Sequence, residues 1–316
     1  MLQAASRRDF LGALVGGVAG AALCPAGSGR VFAQANAHAL PIAATRLGGT
    51  LTLVTGSGGN IVVHEEPGGL VLVNGGRPER AHDLIRFLNA QWPGRPVRTL
   101  FNTDWHPEHT GANEALGSAG ATIIAHVHTR DYLRARHFVD WQDRTYPPSP
   151  APALPTETFR TTGRLDAGAE TIGYGHLGQA HTDGDIYVRF PEANVLVAGD
   201  VLTVGTYPIA DYTTGGWIGG LRDATQALVD LADAGTIVVP GVGPVQTRAD
   251  LEAQHEMLAT LRDRLREMMR EGLGAEDMLA AGATREFDGR WGDPELFLST
   301  AYRGLWLHVR ELGGIV

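Results

Sequence analysis

The sequence predicts an α/β sandwich, and three features lead to it. Short runs of β-branched and apolar residues gather in two sets, at 50–74 and at 171–198, and helical periodicities accompany each set, so two β-rich halves each need a cover for their apolar faces. No linker or shift in composition separates the halves, and short repeats are absent. At 316 residues, 43% hydrophobic and 19% charged, the chain has enough apolar material for one large or two small domains.

The elements follow in order. Residues 50–55, 60–64 and 69–74 read as strands of an antiparallel meander, with Gly56-Ser57-Gly58-Gly59 as a hairpin turn; no Lys-Ser/Thr follows that would make it a phosphate loop. From 78 to 91, Ala81, Leu84, Ile85 and Leu88 fall at helical spacing behind Pro78. Residues 97–101 form the next strand, 102–111 a loop, 112–119 a helix and 121–125 a strand. The stretch 136–162 carries Pro147-Pro148-Ser149-Pro150-Ala151-Pro152, which excludes the interior of a regular element and suggests a lid or binding loop. Strands at 171–177, 186–190 and 195–198, a helix at 221–232 and a strand at 236–239 come next. Leu251, Leu258, Leu261, Leu265 and Met268 mark a long helix, and the rest of the chain is mostly helical. Leu258, Met268 and Met269 are core residues in this reading.

Ser6-Arg7-Arg8-Asp9-Phe10-Leu11, the apolar run that follows it to Leu23, and Ala33-Gln34-Ala35 resemble a twin-arginine export signal with its cleavage site. The run is shorter than the ~20 apolar residues of a spanning helix, so no stable membrane anchor is expected after processing. The resemblance implies residues 1–35 as signal, the export machinery as a partner, and a periplasmic or secreted mature chain 36–316. Cys24, the one cysteine, lies within that signal and is not preceded by the small residue a lipidated cysteine needs. The mature chain would then hold no thiol, so disulfides and thiolate ligands are excluded. Its 34 acids against 23 Arg, a net charge of −11, argue against nucleic acid or an anionic membrane as partner. No lysine occurs, which excludes Schiff-base chemistry.

Any metal must therefore be held by His and carboxylates, and such residues cluster. The loop after the 97–101 strand carries Asp104, His106, Glu108 and His109 within six residues, while His181 and Asp200 follow later strand ends. Imidazoles and carboxylates drawn from several strand ends are what a divalent site requires. His126 and His128 are candidates for outer support of such a site or for structural roles; His64, His176 and His255 have no companions at ligand spacing.

The segment Asn102-Thr103-Asp104-Trp105-His106-Pro107-Glu108-His109-Thr110-Gly111 resembles the metallo-β-lactamase superfamily signature T-H-x-H-x-D-H-x-G, with Asp104 at the first His and Glu108 at the Asp. Gly178-Gln179-Ala180-His181-Thr182-Asp183-Gly184-Asp185 is similar to the family's G-H-T-x-G-D segment, and Asp200 in Val197-Ala198-Gly199-Asp200 to its metal-bridging carboxylate. Pro240-Gly241-Val242-Gly243-Pro244 has Val242 where the last His ligand belongs, and Asn74 stands where relatives often have Asp. The resemblance covers residues 50–245 and implies the four-layer αββα sandwich of that family, with a helical C-terminal segment.

Carried over by position, the first metal site would be Asp104, His106 and His181, and the second Glu108, His109 and Asp200. Glu108 and Asp200 are the catalytic candidates, Glu108 as a base if its extra methylene takes it off the metal and Asp200 to orient water. The ligand set suits Zn²⁺ first, with Mn²⁺ or Fe²⁺ favoured by the added carboxylate, and one ion rather than two. The resemblance implies an exported hydrolase in which a metal-bound hydroxide attacks an ester, lactone, thioester or β-lactam bond of a small-molecule substrate. The departures at Asp104, Glu108 and Val242 support the alternative of a non-catalytic binding protein on the same fold.

Overall fold

Alternation of side chains along the strands decides the architecture. The computed structural model of the protein describes residues 40–308, so the export signal expected at 1–35 lies outside the described residues. The first sheet is built from β1 (Ala43–Gly48), β2 (Leu51–Thr55), β3 (Ile61–Glu66), β4 (Gly69–Val73), β5 (Val97–Phe101), β6 (Thr122–His126) and β9 (Glu157–Phe159), in that spatial order. Along it Leu51, Leu53, Val62, Val71 and Val73 face the second sheet, while Val54, Ile61, Val63, Leu70 and Leu72 face the helices behind. A strand covered on both faces reads as a continuous apolar run, which is how β4 appears.

The second sheet holds β10 (Thr162–Ala167), β11 (Glu170–His176), β12 (Ile186–Phe190), β13 (Val195–Gly199) and β14 (Ile237–Pro240). Val195 and Val197 enter the core between the sheets, with Leu196 and Ala198 on the opposite face. Helices α1 (Ala81–Gln91) and α3 (Asn113–Ser118) cover the outer face of the first sheet through Leu84, Leu88 and Leu116. Helices α5 (Ile218–Leu231), α6 (Arg248–Arg270) and α7 (Glu295–Leu307) cover the second through Leu221, Leu258, Leu261, Leu265 and Phe297. The result is the four-layer αββα sandwich the sequence predicts. Among the described residues no helix is long and apolar enough to cross a membrane.

Several elements differ from the sequence reading. The proline-rich stretch is ordered as a hairpin, β7 (His137–Val139) and β8 (Arg144–Tyr146), followed by the edge strand β9. Its prolines sit between the strands, in the join and in a 3₁₀ turn, Ala151–Ala153, so none removes a ladder hydrogen bond. After β6 the chain enters α4 (Val127–Arg134), a helix the sequence reading did not include; the His126 ring caps it, accepting from the His128 amide at 3.4 Å. Edge strand β1 is mostly exposed with no apolar alternation, and β10 alternates but offers only Leu165 and Ala167 as inward apolar residues, which hides both from pattern reading. The glycine turn does join β2 to β3: Gly56 has φ +84°, and a Cβ there would lie 2.3 Å from the Pro41 carbonyl oxygen.

Candidate metal centre

Three strand ends supply the site. Beyond β5, Asn102 donates through Nδ2 to the His109 carbonyl (3.1 Å) and to Asn113 Oδ1 (3.0 Å), drawing the loop into a tight arch. Within it Asp104 Oδ1 accepts from the His106 amide at 2.7 Å. His106 precedes α2 (Pro107–Thr110), a single turn that opens on proline, whose missing N–H costs nothing there. This turn buries His109 completely and leaves the Glu108 side chain 21% exposed. The loop after β11 brings in His181, and Asp200 follows β13. At the neighbouring end of β14 only glycine is tolerated, since a Cβ on Gly241 would fall 1.9 Å from Asp200 Oδ1.

Two groups of converging ligand atoms result: His106, His181 and Asp200, and Asp104, His109 and Asp200, the ligand atoms of each group lying within 4.8 Å of one another. In the first, His106 Nδ1 is 2.9 Å from His181 Nε2, which is 3.8 Å from Asp200 Oδ2. In the second, His109 Nε2 is 3.1 Å from Asp200 Oδ2 and 3.4 Å from Asp104 Oδ2. The first pair has a specific consequence. His106 Nε2 faces Asp211 Oδ2 at 3.3 Å and His181 Nδ1 faces the Ile209 carbonyl at 2.7 Å. Each of those acceptors calls for an N–H, so in the neutral rings both remaining lone pairs point at each other. That arrangement needs a shared proton or a cation, and a ring whose far N–H is tied to a carboxylate or carbonyl is the usual state of a metal-ligating histidine. In the second group Asp104 Oδ2 and His109 Nε2 are buried and make no well-aligned hydrogen bond, facing only each other and Asp200, a condition that a cation between them relieves. The donor set, three imidazoles and two carboxylates, fits a divalent ion.

The electrostatics agree. Burial opposes a charge on His106, but the Asp211 hydrogen bond and the Asp104 and Glu108 carboxylates outweigh it and push its pKa up to about 9. Burial likewise opposes a charge on His109, and Asp104 and Asp200 overcome it, to about 10. Burial disfavours ionised Asp200, yet His109, then His181 and His106, hold its carboxyl well below the usual carboxylate range. Asp185, buried beside Asp104 and Asp200, is shifted the other way by desolvation and their charges. Excess negative charge at this spot is what a divalent cation would neutralise.

Of the residues singled out in sequence, Asp104, His106, His109, His181 and Asp200 come together. Asp104 groups with His109 and not with His106 and His181, where the carried-over positions had it, while Asp200 belongs to both groups, as a bridging carboxylate would. Glu108 is in neither; α2 carries it to the rim, 3.8 Å from Arg77. Val242 is 55% exposed in the turn after β14. Asn74, in the left-handed region at φ +70°, accepts through Oδ1 from the Thr103 amide at 3.0 Å and ties β4 to the ligand loop. Two buried carboxylates went unassigned in sequence. Asp185 stands in the His181 segment, where its proximity was readable; Asp211 is 105 positions from His106 with no motif to connect them. His106 also packs edge-on against Trp105, which is covered in turn by His137 and Tyr146 of the β7–β8 hairpin.

A sequence model of the metallo-beta-lactamase superfamily matches residues 54–245, more than half of the chain. The alpha subunit of 2,4-dinitroanisole O-demethylase from Nocardioides sp. (strain JS1661) is 27% identical over 184 residues, 57% of this chain and 51% of that protein, so the chain spans about half the length of this relative. Among solved structures, a metallo-beta-lactamase from Pontibacter korlensis superposes with a TM-score of 0.56 at 18% identity, over 69% of this chain and 99% of its own. The stereoselective inverting sec-alkylsulfatase from Pseudomonas sp. gives a TM-score of 0.61 at 16% identity, over 83% of this chain and 50% of its own. At these identities the structures speak for the fold alone. The sequence match, however, runs from β2 to the turn after β14 and takes in every element that contributes a ligand-type residue, and the protein belongs to the metallo-beta-lactamase superfamily.

Proposed function

We propose that the protein is an exported metal-dependent hydrolase acting on an ester-type bond of a small molecule. The observation that carries this reading is the pair His106 and His181, whose inner nitrogens converge at 2.9 Å while their outer nitrogens are held by Asp211 and the Ile209 carbonyl. His106 Nδ1, His181 Nε2 and Asp200 would hold one ion, with the nitrogen-rich set that suits Zn²⁺. Asp104, His109 and Asp200 offer a more oxygen-rich set, suited to a second and weaker ion for which Mn²⁺ or Fe²⁺ competes. Held by these residues, a divalent ion would supply Lewis acidity towards water and the scissile group. The chain's own part is to keep Asp200 ionised, so that its carboxylate orients the attacking water, and to exclude bulk solvent with the Trp105 face of the site. Glu108 stands outside the ligand set in this proposal, paired with Arg77 at the rim.

The relatives' names span a β-lactam, a secondary alkyl sulfate and an aryl methyl ether, so the bond class is open to a direct test. Zinc-loaded protein assayed on p-nitrophenyl acetate, a chromogenic cephalosporin and p-nitrophenyl sulfate should turn over the carboxylic ester most rapidly, with loss on chelation and in His181→Ala. Val242, exposed where the family has a ligand, favours a second reading, a metal-holding binding protein without turnover. Full metal occupancy with no hydrolysis of any of these probes would select it. Export rests on the twin-arginine resemblance of residues 1–35; replacing Arg7 and Arg8 with Lys should leave unprocessed protein in the cytoplasm.

A further inference from the structure

We propose that Asp211 is the positioning residue of the metal centre, fixing His106 through Nε2 so that Nδ1 is the atom offered to the ion. The inference rests on reading the site as a metal centre. Asp211 is fully buried and lies in a short segment that grips both facing histidines. The Ile209 carbonyl accepts from His181 Nδ1 at 2.7 Å, the Asp211 amide donates to the His181 carbonyl at 2.8 Å, and Asp211 Oδ2 meets His106 Nε2 at 3.3 Å. One residue thus touches a histidine from each of two separate loops.

The carboxylate is itself immobilised from outside the ligand set. Trp141 Nε1, from the turn between β7 and β8, donates to Oδ1 at 3.0 Å, the Thr213 amide donates to the same oxygen at 3.2 Å, and the Thr214 hydroxyl donates to Oδ2 at 2.7 Å. The Thr213 hydroxyl completes the set at Oδ1, and Thr214 Oγ1 in turn accepts from Trp105 Nε1 at 3.2 Å. An acceptor held this firmly fixes the plane and the tautomer of the ring it faces, which is the known office of carboxylates behind metal-bound histidines. The simpler alternative is that Asp211 only caps the 3₁₀ turn Tyr212–Thr214, whose first amides it also satisfies.

Cobalt(II) uptake by the full chain separates these roles. Asp211→Asn keeps a capping oxygen and removes the charge, and its Co²⁺ affinity, measured by chelator competition, should fall about 10–100-fold with a changed visible band. Thr213→Val, which removes a cap contact and leaves the His106 contact, should lower it far less. Parent affinity and spectrum in Asp211→Asn, or an equal loss in Thr213→Val, would overturn the inference. Should Asp211→Asn not fold, nitrogen-15 spectra of the zinc-loaded parent decide: His106 protonated at Nε2 and ligated through Nδ1 supports the proposal, and ligation through Nε2 contradicts it. A parent that takes up no Co²⁺ would overturn both this inference and the metal-centre reading beneath it, whereas a parent that binds and a variant that binds equally well would remove this inference alone.

Discussion

His106 Nδ1 lies 2.9 Å from His181 Nε2, and neither ring is free to turn away, because each has its other nitrogen committed to an acceptor. Without a cation, only a proton between them reconciles the contact. Protonation of His106, raised to about 9, and of His109, raised to about 10, is how the metal-free site carries its carboxylates at neutral pH.

Metal uptake must therefore expel protons. Titration at neutral pH in two buffers of different ionisation enthalpy should show proton release, and apparent affinity should climb as pH rises towards about 9. The sign for the metal-free fold is the reverse: raised histidine pKa values contribute stability that is complete below the ordinary value of 6.5 and is lost as pH passes through about 9 and then about 10. Affinity that stays flat over the same range would contradict this protonation.

Asp104 and Glu108, alike in charge and four positions apart, should behave differently. Asp104→Ala removes a member of the second ligand group and should lower zinc stoichiometry by about one ion per chain under saturating conditions. Glu108→Gln alters a rim carboxylate outside both groups and should leave zinc content unchanged. Elemental analysis of the two variants reads this directly, and an equal loss in both would restore Glu108 to the ligand set.

Away from the centre, His126 and His176 stack with centroids 3.7 Å apart and planes within 5°. Burial, with the His176 and His128 rings beside it, lowers His126 to about 3, and burial lowers His176 too. A histidine whose folded pKa is depressed contributes stability that is present above 6.5 and is lost as pH falls towards about 3. Urea midpoints of the parent should fall on acidification through this window, and His126→Gln, which cannot take up the proton, should show a shallower fall. Equal slopes would remove the stack as the cause.

Phe190 carries the load between the sheets, fully buried among Val188, Val195 and the facing strands of the first sheet. Phe190→Ala should cost about 3–5 kcal/mol in denaturant unfolding, the range for emptying a buried aromatic site. A loss below about 1 kcal/mol would mean that the core collapses to fill the gap.

The sandwich was legible because its central strands are buried on both faces: Leu70-Val71-Leu72-Val73 can hardly be anything else, and the 3.6-residue spacing of Leu251, Leu258, Leu261 and Leu265 marks α6. Edge strands were not, since β1 presents no apolar pattern and β10 only the two inward apolar residues Leu165 and Ala167, and both owe their place to pairing with a neighbour's backbone. At the centre, ligand-type residues and their order along the chain were readable, but their aim was not. Asp104 and Glu108 look equivalent in sequence, and only the single turn of α2 separates them, burying one neighbour and turning the other to the rim. Asp211 was invisible for a different reason: its partner His106 is brought to it by tertiary folding alone.

The central claim, that the converging histidines and carboxylates hold a divalent ion, is tested most directly by metal content. Elemental analysis of protein dialysed free of loose ions should find about one zinc, manganese or iron per chain, rising towards about two in excess zinc as the second group fills. Metal below about a tenth of an equivalent, unchanged after Zn²⁺, Mn²⁺ or Fe²⁺ is added, would contradict it.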